Sequence, residues 1–154
     1  MTQEQKNVLG DSTRLGGFAL STMSLTSEGR NHETLERIRS AWSSVATWGR
    51  WCDDELGTWP SRAECLRDLP QWLQDSFGSE PEFEFDNWLS DLHDRSWIWK
   101  AARCLGEALI KIDLLADSLP VSLWTLRFVI ENAGAEVLYD DVWIDDQRAS
   151  LLTP

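Results

Sequence analysis

One amphipathic stripe constrains the fold more than any other feature of the chain. Between about Asn31 and Leu56, apolar side chains recur at alternating spacings of four and three residues: Ile38, Trp42, Val45, Gly49, Cys52 and Leu56. This spacing puts them on one face of an α-helix. Asn31 can serve as its N-cap, and Glu33 and Glu36 suit the positive end of the helix dipole. Because such a stripe must be buried against another surface, we expect this helix at the centre of the fold.

A second helix is predicted after Gly57. Ser61-Arg-Ala-Glu64 forms a capping box, in which the serine oxygen and the glutamate carboxylate satisfy backbone donors. The apolar positions of this helix lie on one side: Leu66, Leu69, Leu73 and Phe77. Pro70 should kink or restart it, because proline lacks a backbone N–H and disfavours a helical residue before it. Gly78 should end it.

The acidic segment Ser79–Phe85 contains a proline and is expected to form an exposed loop. A third helix is predicted from about Asp86 to Arg95, with three inward side chains: Trp88, Leu89 and Leu92.

Two interpretations are open for residues 97–117. One apolar set fits a helix (Leu105, Leu109, Ile112, Ala116), and another alternates as in a strand (Ala108, Ile110, Ile112, Leu114). Residue types favour a helix. However, one helix over residues 86–117 would be about 48 Å long, which is long for a domain of this size. The balance favours a strand near residues 107–115.

The end of the chain predicts a strand–helix–strand unit. After a turn at Ser118-Leu-Pro120 comes an amphipathic helix with five apolar positions: Leu123, Leu126, Val129, Ile130 and Ala133. Gly134 is placed for a left-handed helix cap. Glu136–Ile144 is rich in Val, Ile, Tyr and Trp and predicts a strand. With the strand near residues 107–115, this segment forms a βαβ unit.

These elements predict an α+β fold, rich in helix, with a small sheet. Residues 31–154 are expected to form a single globular domain, which at this length buries a core without disulfides or metals. Residues 1–30 are polar and glycine-rich, and should form an N-terminal arm or a short strand region containing Phe18-Ala-Leu20 and Met23-Ser-Leu25. About two-thirds of the 10 tryptophans are expected in the core.

Acidic residues are distributed unevenly along the chain. Residues 1–50 carry 6 Lys/Arg and 5 Asp/Glu, whereas residues 51–154 carry 8 Lys/Arg and 21 Asp/Glu. A surface with this charge repels nucleic acid and anionic membranes, and it attracts cationic proteins. We therefore expect a basic protein as partner, and neither nucleic acid nor membrane.

Two of the three acidic runs interleave carboxylates with aromatic side chains, which protein interfaces use as anchors; the third is Asp53-Asp54-Glu55. The predicted partner-binding residues are Glu82, Glu84, Asp86, Tyr139, Asp140, Asp141, Trp143, Asp145 and Asp146. Phe83 and Phe85 lie within the first of these runs, where they alternate with Glu82, Glu84 and Asp86. Two alternatives are open: the acids serve only solubility, or Tyr139 and Trp143 pack inward on the helix around Leu126 and Ile130.

No catalytic residue, metal site or cofactor is predicted. The chain lacks a glycine-rich phosphate loop and a Gly-x-Ser-x-Gly motif. His93 stands between Asp91 and Asp94, but on a helix these carboxylates lie beside or behind the imidazole rather than converging with it. The acids at 140–146 do not match a calcium-binding EF-hand loop.

A cytoplasmic location is expected from the cysteines and the apolar runs. The three cysteines, Cys52, Cys65 and Cys104, lack CxxC spacing and fit buried free thiols in a reducing compartment. No run approaches the roughly 20 apolar residues of a membrane span. Gly16-Gly17 interrupts the best apolar stretch near the start, so no secretory signal is predicted.

The C-terminal pattern also carries a resemblance. Ile110–Leu115 through Pro120, followed by Leu126–Ala135 with its Ala133-Gly134-Ala135 motif, is similar to the terminal strand–helix–strand unit of several bacterial immunity protein families. A small, acidic α+β chain without catalytic motifs resembles that class as a whole. The class neutralises a cognate toxin by plugging its active site. The resemblance implies a cytosolic toxin with a basic active-site region, whose anionic substrate the acidic surface would mimic.

Two other functional classes are open. One is a helix-binding adaptor or chaperone that uses a Trp-rich surface, with the acids serving solubility. The other is an enzyme, which an ordered metal or a perturbed pair of carboxylates in a deep cleft would indicate.

Overall fold

The computed structural model describes residues 2–10, 19–48, 59–78, 81–107, 109–116 and 122–140. Within these ranges the chain forms six helices and a four-stranded antiparallel sheet and is about half helical, so the predicted α+β class is confirmed. In chain order the elements are α1 (Gln3–Val8), β1 (Ala19–Thr26), α2 (Asn31–Trp48), α3 (Arg62–Asp68), α4 (Gln71–Gln74), α5 (Pro81–His93), β2 (Trp97–Leu105), β3 (Leu109–Ala116), α6 (Trp124–Asn132) and β4 (Glu136–Asp140).

The sheet has the strand order β2-β3-β1-β4, and every neighbouring pair is antiparallel. Since β1 is antiparallel to both β3 and β4, those two strands run parallel to each other. Helix α6 therefore connects two parallel strands that have β1 inserted between them. The predicted strand–helix–strand unit is confirmed as far as Asp140, and residues 141–144 of the expected strand lie outside the described residues.

Residues 97–116 form a β-hairpin. The strand expected near residues 107–115 is confirmed as β3, while β2 was missed. Gly106 takes the left-handed conformation (φ 63°) in the turn, beside the pair Leu105 and Leu109. Helix-forming residues such as those at 100–103 adopt the strand because pairing with β3 and burial of Trp97 and Trp99 outweigh local propensity.

The predicted stripe of α2 is buried in the middle of the core: Ile38, Trp42 and Val45 are all inaccessible to solvent. The remaining stripe positions, Gly49, Cys52 and Leu56, lie outside the described residues. Asn31 is the first residue of α2, and its side chain does not act as the expected N-cap. Its amide oxygen accepts from the Ser27 N–H (2.9 Å), and its amide nitrogen donates to the Glu107 carbonyl (2.8 Å).

Two local signals around α3 and α4 are confirmed, the serine cap and the break at the proline. The Ser61 hydroxyl oxygen accepts from the Glu64 backbone N–H at 3.2 Å and caps α3. Leu69 is extended, and Pro70 starts the separate helix α4. Gly78 does not end the helix as expected, because α4 already ends at Gln74; it has φ 60° and follows the buried Phe77.

The prediction of an exposed loop at residues 79–85 is wrong, because α5 begins at Pro81. Proline suits the first turn of a helix, where no N–H is required, and acidic residues suit the positive end of the dipole. The ring of Phe85 is buried and packs edge-on against Phe77, with 5.2 Å between ring centroids. Farther along, Trp88 and Leu92 are buried as predicted.

Most of the described tryptophans belong to the core, as expected. Trp59 and Trp72 are half-buried against it, and Trp124 is 38% exposed. The fully buried ones are Trp42, Trp48, Trp88, Trp97 and Trp99. Trp51 and Trp143 lie outside the described residues. None of the helices in the described ranges is long and apolar enough to cross a membrane.

The N-terminal region contributes a helix and a strand to this fold. The prediction of a short strand is confirmed by β1, which lies in the interior of the sheet. Helix α1 was not predicted. It packs on α2 and β2, where the Thr2 hydroxyl donates to the Ala46 carbonyl (2.7 Å) and the Asn7 amide donates to the Trp99 carbonyl (2.9 Å).

Candidate protein-binding site

Helix α5 has one apolar and one acidic side. Phe85, Trp88 and Leu92 are buried on the first. The second, together with the residue just after the helix, exposes four carboxylates, which we call the acidic face: Glu84, Asp86, Asp91 and Asp94. The helical period of about 3.6 residues separates the two sets. Negative charge is therefore held on a helix that the core fixes in place.

Two contacts tie the start of α5 to its surroundings. Asp86 forms an ion pair with Arg62 of α3, whose guanidinium also lies over the Phe85 ring at 5.2 Å from the centroid. The Glu84 carboxylate lies against Gly78, so closely that a Cβ added there would be 2.6 Å from its Oε2. The positive φ of 60° favours glycine at this position, whereas the exposed Glu84 side chain can move to make room for a Cβ.

The end of the acidic face borders a cleft of about 340 Å³ between α5 and the start of α6, which we call the Trp124 cleft. The Trp124 indole N–H donates to Asp91 Oδ2 at 2.6 Å, and this orients both side chains. Asp94, Ser96 and Ser122 also line the cleft. An exposed indole beside carboxylates combines apolar contact area with affinity for cations.

The cleft has rigid walls. The Trp88 indole N–H of α5 donates to the Thr125 carbonyl of α6 at 3.0 Å, entirely within the core. The Trp97 indole N–H donates to the Ser122 carbonyl at 2.9 Å and joins β2 to the segment before α6. A surface fixed in this way loses little conformational entropy when a partner binds.

The structure divides the predicted site residues into three groups. Glu84 and Asp86 are exposed on α5, as the prediction requires. The backbones of Glu82, Tyr139 and Asp140 lie in α5 and β4, but their side chains are outside what the structure describes. Four residues lie outside the described ranges altogether: Asp141, Trp143, Asp145 and Asp146. Phe85 is not an interface aromatic, because it is buried in the core.

The backbones of Tyr139 and Asp140, where the second acidic run with aromatic residues begins, lie in β4 and so near the same helix as α5. Helix α6 packs against both α5 and β4. The register pairs Ser24 with Tyr139 but Leu25 with Val137, so Leu138 is an extra residue in a β-bulge and is 52% exposed. A bulge reverses the alternation of side chains along a strand, and it also re-aims the chain that follows.

Trp124 is the site residue that sequence reasoning missed. A signal for it was present, since Trp124 falls outside the apolar stripe of α6 formed by Leu126, Val129 and Ile130. A tryptophan off the buried stripe of a helix is a candidate for a surface anchor.

The geometry around His93 is that of a packed side chain. Its Nδ1 lies 3.1 Å from Asp94 Oδ1, and its ring meets Trp59 edge-on at 4.6 Å between centroids. Across the described ranges, no group of three or more His, Cys, Asp or Glu side chains could hold a metal ion.

The thiol of Cys65 is buried and poorly suited to nucleophilic chemistry. Burial raises its pKa to about 11, and the carboxylates of Asp68 and Glu64 act in the same direction. The neutral thiol therefore predominates at physiological pH, whereas the thiolate is the nucleophile and the metal ligand.

Comparison of the chain with models of protein families, with curated proteins and with solved structures gives no match.

Proposed function

We propose that the protein is an immunity protein that binds a basic toxin and blocks its active site. The observation that carries this proposal is the pairing of an acidic helix face with an exposed tryptophan: Asp91 and Asp94 border the cleft in which Trp124 is accessible. Aromatic anchors ringed by charge are common at the centres of protein interfaces.

Electrostatic attraction would act on a cationic partner before the two proteins touch. The chain has a formal net charge of −12, and residues 51–154 carry the excess acid. A field of this sign accelerates encounter with a cationic partner by about 10-fold to 1000-fold at low salt, and salt suppresses the effect. Toxins that act on nucleic acid or nucleotides have cationic sites, so carboxylates at phosphate positions would compete with their substrate.

The surroundings of the acidic face support a binding role without catalysis. The carboxylates of Glu84 and Asp86 stand on the outside of a helix rather than converging in a deep cleft. We place the protein and its target in the cytosol, with no cofactor, and we retain the C-terminal run from Asp140 to Asp146 as a second part of the binding surface.

The adaptor alternative finds less support. An apolar helix requires a groove with several accessible aromatic or aliphatic side chains. Of the eight described tryptophans only Trp124 is substantially exposed, and it is bonded to a carboxylate.

The test begins with capture of partners from the native host by the wild-type protein. A captured protein counts as the target if it is basic, if its expression alone arrests growth, and if co-expression of this chain restores growth. A partner that is not toxic would contradict the immunity assignment.

The acidic face is tested with a variant that carries Glu84→Gln, Asp91→Asn and Asp94→Asn. These substitutions remove charge but keep side-chain size, and asparagine can still accept the Trp124 hydrogen bond. The association rate should fall about 10-fold or more at low salt and should approach the wild-type rate at high salt. A control variant, Glu28→Gln with Glu33→Gln and Glu107→Gln, removes the same charge from exposed positions near the start of α2 and the β2–β3 turn.

A second variant, Asp141→Asn with Asp145→Asn and Asp146→Asn, tests the C-terminal part of the surface in the same assay. If neither this variant nor the α5 variant slows association more than the control, the acidic surface is not the binding site.

A further inference from the structure

Glu4 of α1 is a buried carboxylate that receives four hydrogen bonds. Arg95 Nη2 donates to its Oε1 at 2.5 Å, and Arg95 Nη1 donates to its Oε2 at 2.7 Å. The same Oε2 accepts from the Trp99 backbone N–H at 2.7 Å and from the Trp42 indole N–H at 3.1 Å. The side chains of Arg95 and Glu4 are 1% and 2% exposed. This is bidentate recognition of one carboxylate, completed by two neutral donors.

The donors are positioned by contacts that do not involve α1. Arg95 Nη1 also donates to the Trp97 carbonyl at 2.9 Å. The guanidinium carbon lies 5.6 Å from the Trp42 ring centroid and 5.3 Å from that of Trp97. These two rings are stacked, with centroids 5.5 Å apart and planes 18° apart. Arg95 is thus held by residues of α2 and β2 as well as by Glu4.

The backbone of Trp99 is also directed toward α1. Strand β2 is at one edge of the sheet, and its register shifts between Trp99 and Ala101. The Trp99 N–H bonds to Glu4, and the Trp99 carbonyl accepts from the Asn7 amide. Side chains of α1 therefore form the two hydrogen bonds that the Trp99 N–H and C=O, at the edge of the sheet, would otherwise make to a neighbouring strand.

We propose that Arg95, the Trp42 indole and the Trp99 amide form a carboxylate-binding site that persists without Glu4, and that Glu4 occupies it as an intramolecular ligand. The ligand class is a monocarboxylate. Removing the Glu4 carboxylate takes the ion pair from a buried guanidinium, and such a charge strongly favours a replacement anion. The two-pronged geometry selects a planar carboxylate over a spherical anion.

Acetate is the probe for this site because its shape matches the deleted atoms. Glu4→Ala removes Cγ, Cδ and both oxygens, which are one carbon and a carboxylate in the arrangement that acetate has. In the Glu4→Ala variant, sodium acetate should raise the urea midpoint of unfolding above the effect of sodium chloride at equal ionic strength. The dependence should follow the logarithm of one plus the ratio of acetate concentration to its Kd.

Three controls separate a carboxylate site from a general salt or volume effect. Acetamide has the shape of acetate without its charge and should not stabilise Glu4→Ala. Glu4→Gln fills the space, so acetate should have no more effect on it than chloride. Adding Arg95→Met to Glu4→Ala should abolish the difference between acetate and chloride.

If Glu4→Ala is unfolded in chloride, the readout becomes refolding yield from urea, and recovery in acetate but not in acetamide supports the site. Equal behaviour in acetate, chloride and acetamide, in either readout, overturns it. The readout is stability, so the outcome is independent of whether the protein inhibits a toxin.

Discussion

Glu4 and the carboxylates on α5 contain the same chemical group in opposite settings. Glu4 is 2% exposed and accepts hydrogen bonds from four donors, whereas Asp86 and Asp94 are exposed and contact one polar side chain each, Arg62 and His93. A buried carboxylate must be matched by donors, since water no longer solvates it. An exposed one keeps its hydration and leaves its field free to act at a distance. Position in the fold therefore gives the first a structural role and leaves the second accessible for the recognition that we propose.

The largest expected effect comes from breaking the buried pair. Arg95→Met should lower the free energy of unfolding by about 3–5 kcal/mol, because it leaves Glu4 buried without its cation. The double variant Arg95→Met with Glu4→Leu should lose clearly less than the single variant. Urea unfolding monitored by tryptophan fluorescence measures both. A loss below about 1 kcal/mol in the single variant would mean that Glu4 contributes no more to stability than the exposed acids do.

The exposed side of the comparison predicts a separation of binding from stability. Trp124→Ala should weaken binding to the identified partner by about 2 kcal/mol or more. The free protein should lose under about 1 kcal/mol, since Trp124 is partly exposed and its hydrogen bond to Asp91 lies at the surface. Leu9→Ala, which truncates a side chain 63% exposed on the α1 side, is the matched control and should leave affinity unchanged. Titration calorimetry measures the affinity and urea unfolding the stability. A large loss of stability would assign Trp124 to the core.

Cys65 carries a buried ionisable thiol, so the pH dependence of stability also tests the comparison between buried and exposed groups. Its thiol ionises in the unfolded chain near pH 9, and burial raises the pKa in the folded protein to about 11. Because the folded pKa is the higher one, the stabilising contribution is fully present below pH 9 and is lost as pH rises through 11. Cys65→Ala should remove this part of the alkaline loss. Urea midpoints between pH 8 and 11 provide the measurement, and identical slopes for variant and wild type would contradict it.

The smallest effect is expected for the exposed ion pair between Arg62 and Asp86. Arg62→Gln should change stability by less than about 1 kcal/mol, because exposed pairs gain little Coulomb energy in water and lose side-chain entropy. The ion pair Glu36–Arg39 on α2 is a matched exposed pair, so Glu36→Gln should behave alike in the same urea assay. A loss comparable to that of Arg95→Met would remove the distinction between buried and exposed carboxylates.

Local chemistry explains which parts of the fold the sequence predicted. The Ser61 cap, the break at Pro70 and the left-handed Gly134 each depend on a few neighbouring residues and are readable from them. Strand β2 is different, because its helix-forming residues take the extended form only through pairing with β3. The helix at Pro81 was missed because the burial of Phe85 depends on Phe77, which belongs to another element.

The candidate site divides in the same way. Glu84 and Asp86 were predicted from charge pattern, which is a local property. The hydrogen bond between Trp124 and Asp91 joins α6 to α5, and Glu4 contacts Arg95, which lies 91 residues later in the chain. Neither contact leaves a periodic signal, so only the folded structure reveals them.

The place of β1 in the sheet has a consequence for synthesis. This strand is translated before α2, yet its two neighbours, β3 and β4, follow only after helices α2 to α5 and strand β2. Until then the backbone N–H and C=O groups of β1 have no neighbouring strand to pair with. Pairings of such long sequence separation make folding slow. A nascent chain of this protein therefore carries an unpaired strand until β3 has been translated, and it is during this interval that aggregation or chaperone capture competes with folding.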